Sequence, residues 1–347
     1  MKKTSAGNFF EDFTLGHIIH HATPRTVTAG DVALYQSLYG PRFAIQSSDE
    51  FARALGFGRA PVDDLIAFHI VFGKTVPDIS LNAVANLGYA DCRFQTRVYP
   101  GDTLTARSEV IGLRETSSGK SGVVWVKTVG INQRAETVVS YVRWVMVRKR
   151  AAAISRRPPV VPDLPDIAGD IHVPEGLDFS RWNFDLAGSP HRWDEYRAGE
   201  RIDHMDGITI EEAEHMMATR LWQNTARVHF DQHAAEKGRF HRRLIYGGHI
   251  ISLARAISFN GLANAGLVAA VNGGSHSNPT FAGNTIYAWS EVLARIEIPG
   301  RTDVGALRLR TVAAKDFPCA DFPLRDGDGK YDPAVVLDLD YTVLVPR

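Results

Sequence analysis

Three residues at short spacing, Asn224, His229 and Asp231, lie in the segment Asn224-Thr225-Ala226-Arg227-Val228-His229-Phe230-Asp231. Shortly afterwards Tyr246-Gly247-Gly248-His249 opens an apolar run. His229 is the natural base of this group, because an imidazole's ordinary pKa of about 6.5 lies near working pH. Asn224 carries a neutral amide, which cannot take up a proton but can orient a water or the imidazole. Asp231 is placed both to tune His229 and to cap a helix starting at Gln232. A backbone N–H at Gly248, at the start of the apolar helix, points outward with partial positive charge, and glycine lets a carbonyl approach without a Cβ in the way. Such a preorganised donor is worth roughly 3 kcal/mol where it has been tested in other enzymes. A base, an orienting amide and an oxyanion donor suit the addition of water to, or its removal from, a C=C bond activated by a thioester.

Other chemistry-bearing residues point less far. His229 and His233 have the i, i+4 spacing of a metal pair, but no H-E-x-x-H phrase and no third ligand accompany them, so no metal is expected. Asn272-Gly273-Gly274-Ser275 lacks the strand-to-helix layout of a phosphate loop and reads as a turn before a strand. Arg239, Arg242 and Arg243 form a small basic cluster before Gly248, suited either to the phosphates of a coenzyme or to a solvated loop face.

An internal repeat sets out the elements that must position these groups. Phe10, Phe13, Gly16, Val27, Asp31, Leu34 and Leu38 match Trp193, Tyr196, Gly199, Ile210, Glu214, Met217 and Leu221 at a constant offset of 183 residues. The phrase Gly101-Asp102-Thr103-Leu104 parallels Gly283-Asn284-Thr285-Ile286 further on. The chain is therefore expected to comprise two copies of one domain, at 1–150 and 181–347, joined by a Pro-rich connector over 151–180 that is extended and semi-rigid. In the first copy Ala29 to Tyr39 reads as a helix, and Leu65 to Phe72 is apolar nearly all round, as a helix wrapped by a sheet must be. Ile250 to Ser258 repeats that apolar helix. Thr103 to Ile111, Gly122 to Asn132 and Thr137 to Arg148, and in the second copy Thr285 to Ile298, Ala306 to Lys315 and Ala334 to Val345, read as strands. The fold expected is α+β, an antiparallel sheet curved around one apolar helix, taken twice.

Composition narrows the partners. With 39 basic and 39 acidic side chains in 347 residues the net charge is zero, so no global field attracts nucleic acid or anionic lipid. Cys92 and Cys319 are the only cysteines and lack metal-site spacing, which fits a reducing compartment. The N-terminus reaches Glu11 and Asp12 before any apolar signal region forms, and no stretch approaches about 18 apolar residues. A cytoplasmic protein that neither spans a membrane nor is secreted is expected.

The Pro100-Gly101-Asp102-Thr103-Leu104 turn, the apolar helix entered through glycine and the segment ending His229-Phe230-Asp231 resemble those of the MaoC-like hydratases, in their fused double-hotdog form. The resemblance covers nearly the whole chain. It implies the motif Asp-x-Asn-Pro-x-His-x-Asp, in which the first Asp and the His hold and deprotonate a water. His229 falls on the family His and Asp231 on the last acid, while Asn224 replaces the catalytic Asp and Ala226 and Arg227 replace Asn and Pro. The first copy has Pro41 and Gln46 at the Asp and His positions, and Asp63 and Asp64 where the second has Gly247 and Gly248. One active site per chain, on the C-terminal copy, is therefore implied.

The phrases Asp91-Cys92-Arg93-Phe94 and Tyr141 to Arg148 are similar to those of members that act on mesaconyl-CoA. That likeness implies a cofactor-independent hydro-lyase interconverting mesaconyl-CoA and β-methylmalyl-CoA in the ethylmalonyl-CoA pathway. Arg227 becomes a candidate for the free carboxylate of such a substrate, and Arg242 and Arg243 for coenzyme A. A hotdog thioesterase and a non-catalytic acyl-CoA binding protein remain as alternatives, because fold does not fix function. A monomer and a homodimer are both open, since the fused halves already supply the pairing that single-hotdog chains obtain by dimerising.

Overall fold

The computed structural model describes residues 3–152, 158–169 and 171–347; Met1, Lys2 and parts of the expected connector (153–157 and 170) lie outside the described residues. The first half runs β1 (Ile18–Thr26), α1 (Ala29–Tyr39), α2 (Ala44–Ser47), α3 (Asp49–Ala54), α4 (Asp64–Thr75), β2 (Ala83–Phe94), β3 (Thr103–Glu115), β4 (Ser121–Ile131) and β5 (Thr137–Arg148). The second runs α5 (Phe184–Ala187), β6 (Arg201–Thr209), α6 (Glu212–Leu221), α7 (Arg227–Phe230), α8 (Gln232–Ala235), α9 (Gly247–Ile257), α10 (Phe259–Leu262), β7 (Leu267–Ser275), β8 (Thr285–Ile296), β9 (Val304–Lys315) and β10 (Val335–Pro346).

All ten strands form one antiparallel sheet in the order β1-β3-β4-β5-β2-β7-β10-β9-β8-β6. The order is palindromic, and the halves join where β2 pairs β7, with Tyr89 opposite Gly274 and Cys92 opposite Val271. Each half curves around its own helix. Residues Asp64 to Thr75 of α4 are all buried, and in α9 every residue after Gly247 is buried. A helix with no polar face has no other stable place in a globular chain. One continuous core includes Ile66, Ile70 and Phe72 of the first helix and Ile250, Leu253 and Ala254 of the second.

The repeat seen in the sequence recurs as hydrogen bonds. The N–H of Gly16 donates to Val110 O at 2.8 Å, and that of Gly199 to Val292 O at 2.8 Å. His21 Nε2 meets Ser108 Oγ at 2.8 Å, and His204 Nε2 meets Ser290 Oγ at 2.8 Å. Helix α1 starts with a reciprocal cap: Thr28 Oγ1 accepts from Asp31 N, and the Asp31 carboxylate accepts from Thr28 N at 2.8 Å.

Two local expectations need correction. Asn272 to Ser275 is the end of β7 rather than a turn before a strand; the missing side chain at Gly274 admits the Tyr89 ring, to which an added Cβ would lie 3.1 Å away. Helix α9 begins at Gly247, three residues before the apolar run, because first-turn N–H groups need no intrahelical partner. Described residues of the connector meet the sheet at two points: Val160 bridges Leu113, and Ala168 N donates to Asn272 Oδ1 at 3.0 Å.

The seam between the halves brings α4 against the loop that follows α6. A Cβ on Gly73 would stand 1.7 Å from the carbonyl oxygen of Trp222, so only glycine fits there. Alanine's helix propensity alone would stabilise α4 by about 1 kcal/mol. The clash is with backbone and outweighs it, so Gly73→Ala should lower stability by about 1–3 kcal/mol. Urea denaturation checks this; an unchanged or raised midpoint would contradict the tight seam.

Candidate active site

His229 sits on the short helix α7 and is half-buried. Its Nδ1 lies 2.9 Å from the carbonyl oxygen of Leu244, and the Leu244 N–H returns to Val228 O at 3.0 Å, so the loop closes on the imidazole's own turn. A carbonyl can only accept, which assigns the proton to Nδ1 and leaves the Nε2 lone pair free. Burial pushes the His229 pKa below its ordinary value, and the Leu244 carbonyl only partly opposes this.

The rings around His229 are kept uncharged in the same way. The Tyr246 ring centre is 5.7 Å away and that of His215 6.2 Å away. His215 Nε2 accepts from Tyr246 N at 2.9 Å, which fixes the residue preceding α9. Burial, helped by His249, His229 and Arg243, pushes His215 down to about 2. Burial alone takes His249 to about 3, and burial with His229 takes His276 to about 4.

Gly247 and Gly248 are the first two residues of α9, whose N-cap Tyr246 supplies no side-chain cap. Their N–H groups have no acceptor among the described residues, so the positive end of the helix is uncompensated. Glycine is needed here for close approach: a Cβ on Gly247 would lie 2.5 Å from His276 Nε2, and one on Gly248 2.5 Å from the Tyr246 ring. Asn224 is 4% exposed. Its Oδ1 accepts from Ala226 N at 3.1 Å, leaving the amide nitrogen without a hydrogen-bond partner among the described residues.

The structure does not bring every candidate to this point. Asp231 caps α8, accepting from Ala234 N at 3.0 Å, and Leu244 rather than Asp231 is the partner of His229. Arg227 is exposed on α7 and forms no ion pair among the described residues. Arg242 is exposed; it donates to Ala282 O at 2.7 Å and covers the Phe281 ring. Arg243 pairs with Glu212 at 3.1 Å. No group of three or more His, Cys, Asp or Glu among the described residues is arranged to hold a metal. In the first half, Pro41 and Gln46 line a small cavity with Tyr35, Phe43 and Asp63. No histidine faces that cavity. Burial beside Asp64 lifts Asp63 to about 6.

Sequence reasoning missed His215, Tyr246 and His276. Tyr246 adjoins the glycine pair and was within reach of a motif argument. The two histidines arrive by tertiary contact from α6 and from just past β7, and no spacing announces them.

Comparisons with known proteins place the chain in a family. The model of a family described as mesaconyl-CoA hydratase matches residues 2–323. The chain is 65% identical over 347 residues to the β-methylmalyl-CoA dehydratase of Chloroflexus aurantiacus, covering 99% of each. It is 62% identical over 349 residues to the mesaconyl-CoA hydratase of Cereibacter sphaeroides, covering 99% of this chain and 100% of that one. A crystal structure of a MaoC domain protein dehydratase from Chloroflexus aurantiacus superposes with a TM-score of 0.98 at 65% identity, over 100% of this chain and 99% of that one. A Mycobacterium tuberculosis protein with a double hotdog fold, 24% identical over 99% of both chains, superposes at 0.76, a likeness of fold alone. The architecture is the double hotdog, and the chain belongs to the mesaconyl-CoA hydratase family.

Proposed function

We propose that this chain is a hydro-lyase that reversibly adds water to the C=C bond of mesaconyl-CoA, giving β-methylmalyl-CoA. The observation that carries this reading is a neutral imidazole, His229, with its proton tied to Leu244 and its Nε2 free, in the same buried cluster as the uncapped N-terminus of α9. The names of the two curated relatives support the substrate.

Nε2 of His229 takes a proton from water as the water oxygen bonds to the β-carbon. The C=C electron pair moves onto the thioester oxygen, and the Gly248 N–H receives the resulting enolate. The imidazolium then returns its proton to the α-carbon. Asn224 holds the water through its amide nitrogen, in place of the family's acid, and Asp231 acts at a distance by fixing the turn that carries His229. Arg242 and Arg243 stand on the loop that leads to α9, where coenzyme A phosphates would approach. Arg227 belongs to the exposed rim. We place the halves at 1–150 and 181–347, with 151–180 between them, and assign the enzyme to the cytoplasm and to the ethylmalonyl-CoA pathway. Its zero net charge supports a small-molecule partner rather than nucleic acid. No helix among the described residues is long and apolar enough to cross a membrane.

Purified protein should bleach the conjugated enoyl absorbance of mesaconyl-CoA without releasing free thiol. His229→Ala should lower kcat/KM by about 10²–10⁴-fold while leaving the melting temperature near that of the wild type. Thiol release at the rate of bleaching would indicate a thioesterase and sink the reading.

The pH dependence follows from the lowered pKa of His229. The base form is lost only when pH falls through the folded-state value, which lies below 6.5. The acidic limb of kcat/KM for hydration should therefore have its midpoint below pH 6.5. An acidic limb centred at or above pH 6.5 would show that a different group is the base.

A further inference from the structure

Arg143 of β5 is 0% exposed and has no carboxylate partner among the described residues. Its Nη2 donates to Thr75 Oγ1 at 2.7 Å and lies 3.4 Å from Ser80 Oγ, and the guanidinium rests 4.3 Å above the centre of the Phe72 ring. Its Nε and Nη1 meet no acceptor. Arg97, another buried arginine, is by contrast paired with Asp64. The C-terminal end of α4 at Thr75 favours a cation and accounts for one contact, but it leaves the N–H groups on Nε and Nη1 unused. The ionisable groups facing the guanidinium are the phenols of Tyr141, Tyr89 and Tyr246, all pushed by burial above their ordinary values, so none serves as a counter-ion. A buried cation without a counter-ion is costly enough that an absent anionic partner is the simplest physical account.

Two paths of contact lead from the active site to this cation. Tyr89 is directly opposite Arg143 across the β2–β5 ladder, and its hydroxyl lies 3.4 Å from His276 Nε2, the ring that abuts Gly247. The Phe72 ring that Arg143 covers is 5.7 Å from the Tyr246 ring, itself 5.7 Å from His229.

We propose that Arg143 is the receptor for the free carboxylate of the acyl group and selects dicarboxylic over monocarboxylic thioesters. This rests on the hydratase reading above. The carboxylate of mesaconyl-CoA is attached to the carbon that receives the hydroxyl, and its negative charge opposes the approach of water's lone pair. A guanidinium fork matches a carboxylate with two parallel hydrogen bonds and offsets that charge where the new C–O bond forms. A monocarboxylic acyl group would leave the buried cation unpaired, which is a penalty against the wrong substrate.

The test uses the intact chain and a pair of non-reacting ligands, succinyl-CoA and butyryl-CoA, that differ in the terminal carboxylate. Wild-type protein should bind succinyl-CoA at least about 10-fold more tightly, and Arg143→Met should abolish that preference. The same variant should lose about 100-fold or more in kcat/KM for mesaconyl-CoA, and its unliganded melting temperature should not fall. Arg143→Lys, which keeps the charge without the fork, should lie between the two. Equal affinities in the wild type, a preference that survives in Arg143→Met, or a lower melting temperature with equal losses on both ligands would each overturn the assignment. Failure of the wild type to hydrate mesaconyl-CoA would count against the substrate reading, whereas the ligand preference tests Arg143 by itself.

Discussion

Burial of the uncapped first turn of α9 at the seam between the two halves is the constraint on which the rest of the structure depends. Away from water, the partial charge on the buried Gly248 N–H is weakly screened, and a developing enolate oxygen gains most from it. The same dryness penalises any fixed charge nearby. It explains why the groups around that turn, His215, His249 and His276, are neutral imidazoles. It also gives Asn224 a physical reason. At 4% exposure a carboxylate there would face the penalty that lifts Asp63 to about 6 in the first half, while an amide orients a water without carrying charge.

The second constraint is that one half cannot enclose the site alone. His229, Gly248 and His276 come from the C-terminal half, whereas His69, Phe72, Tyr89 and Arg143 come from the N-terminal half. His69 stitches the seam, meeting Ser252 Oγ at 2.8 Å and Tyr246 at 3.3 Å, and the close approach at Gly73 seats the loop that carries Asn224. In the first half Gln46, at the position the motif gives to the imidazole, donates to Gly266 O at 2.7 Å, and this half supplies the wall against which the other site is built.

Much of this was legible in the residues. The repeat was readable because each copy needs the same buried aromatic, the same turn glycine and the same strand entry, as the matched bonds of Gly16 and Gly199 illustrate. Strands β3 to β5 and β8 to β10 carry β-branched and aromatic runs and declared themselves. β1 and β6 are mostly exposed, with Pro24 in one and Asp203, His204 and Asp206 in the other, so neither has the alternation that marks a half-buried strand. β7 ends in glycines that mimic a turn, although Gly274 is there to admit the Tyr89 ring. His229, Asn224 and Gly248 are candidates that a motif can name, because local spacing carries them. Asp231 met the cap requirement of α8, a local demand that a motif cannot rank against catalysis. Arg143 was invisible as a site residue, since an arginine in a strand ordinarily faces solvent and only the packed structure shows that it does not.

The most direct test of the account is a 15N NMR measurement of the His229 ring in the unliganded enzyme as pH is lowered from 8 to 5. The account predicts a neutral imidazole with its proton on Nδ1, bonded to the Leu244 carbonyl, and with the cation the minority form at pH 6.5. A ring protonated on Nε2, or one mostly cationic at pH 6.5, would leave no free lone pair to accept the proton of water and would contradict it.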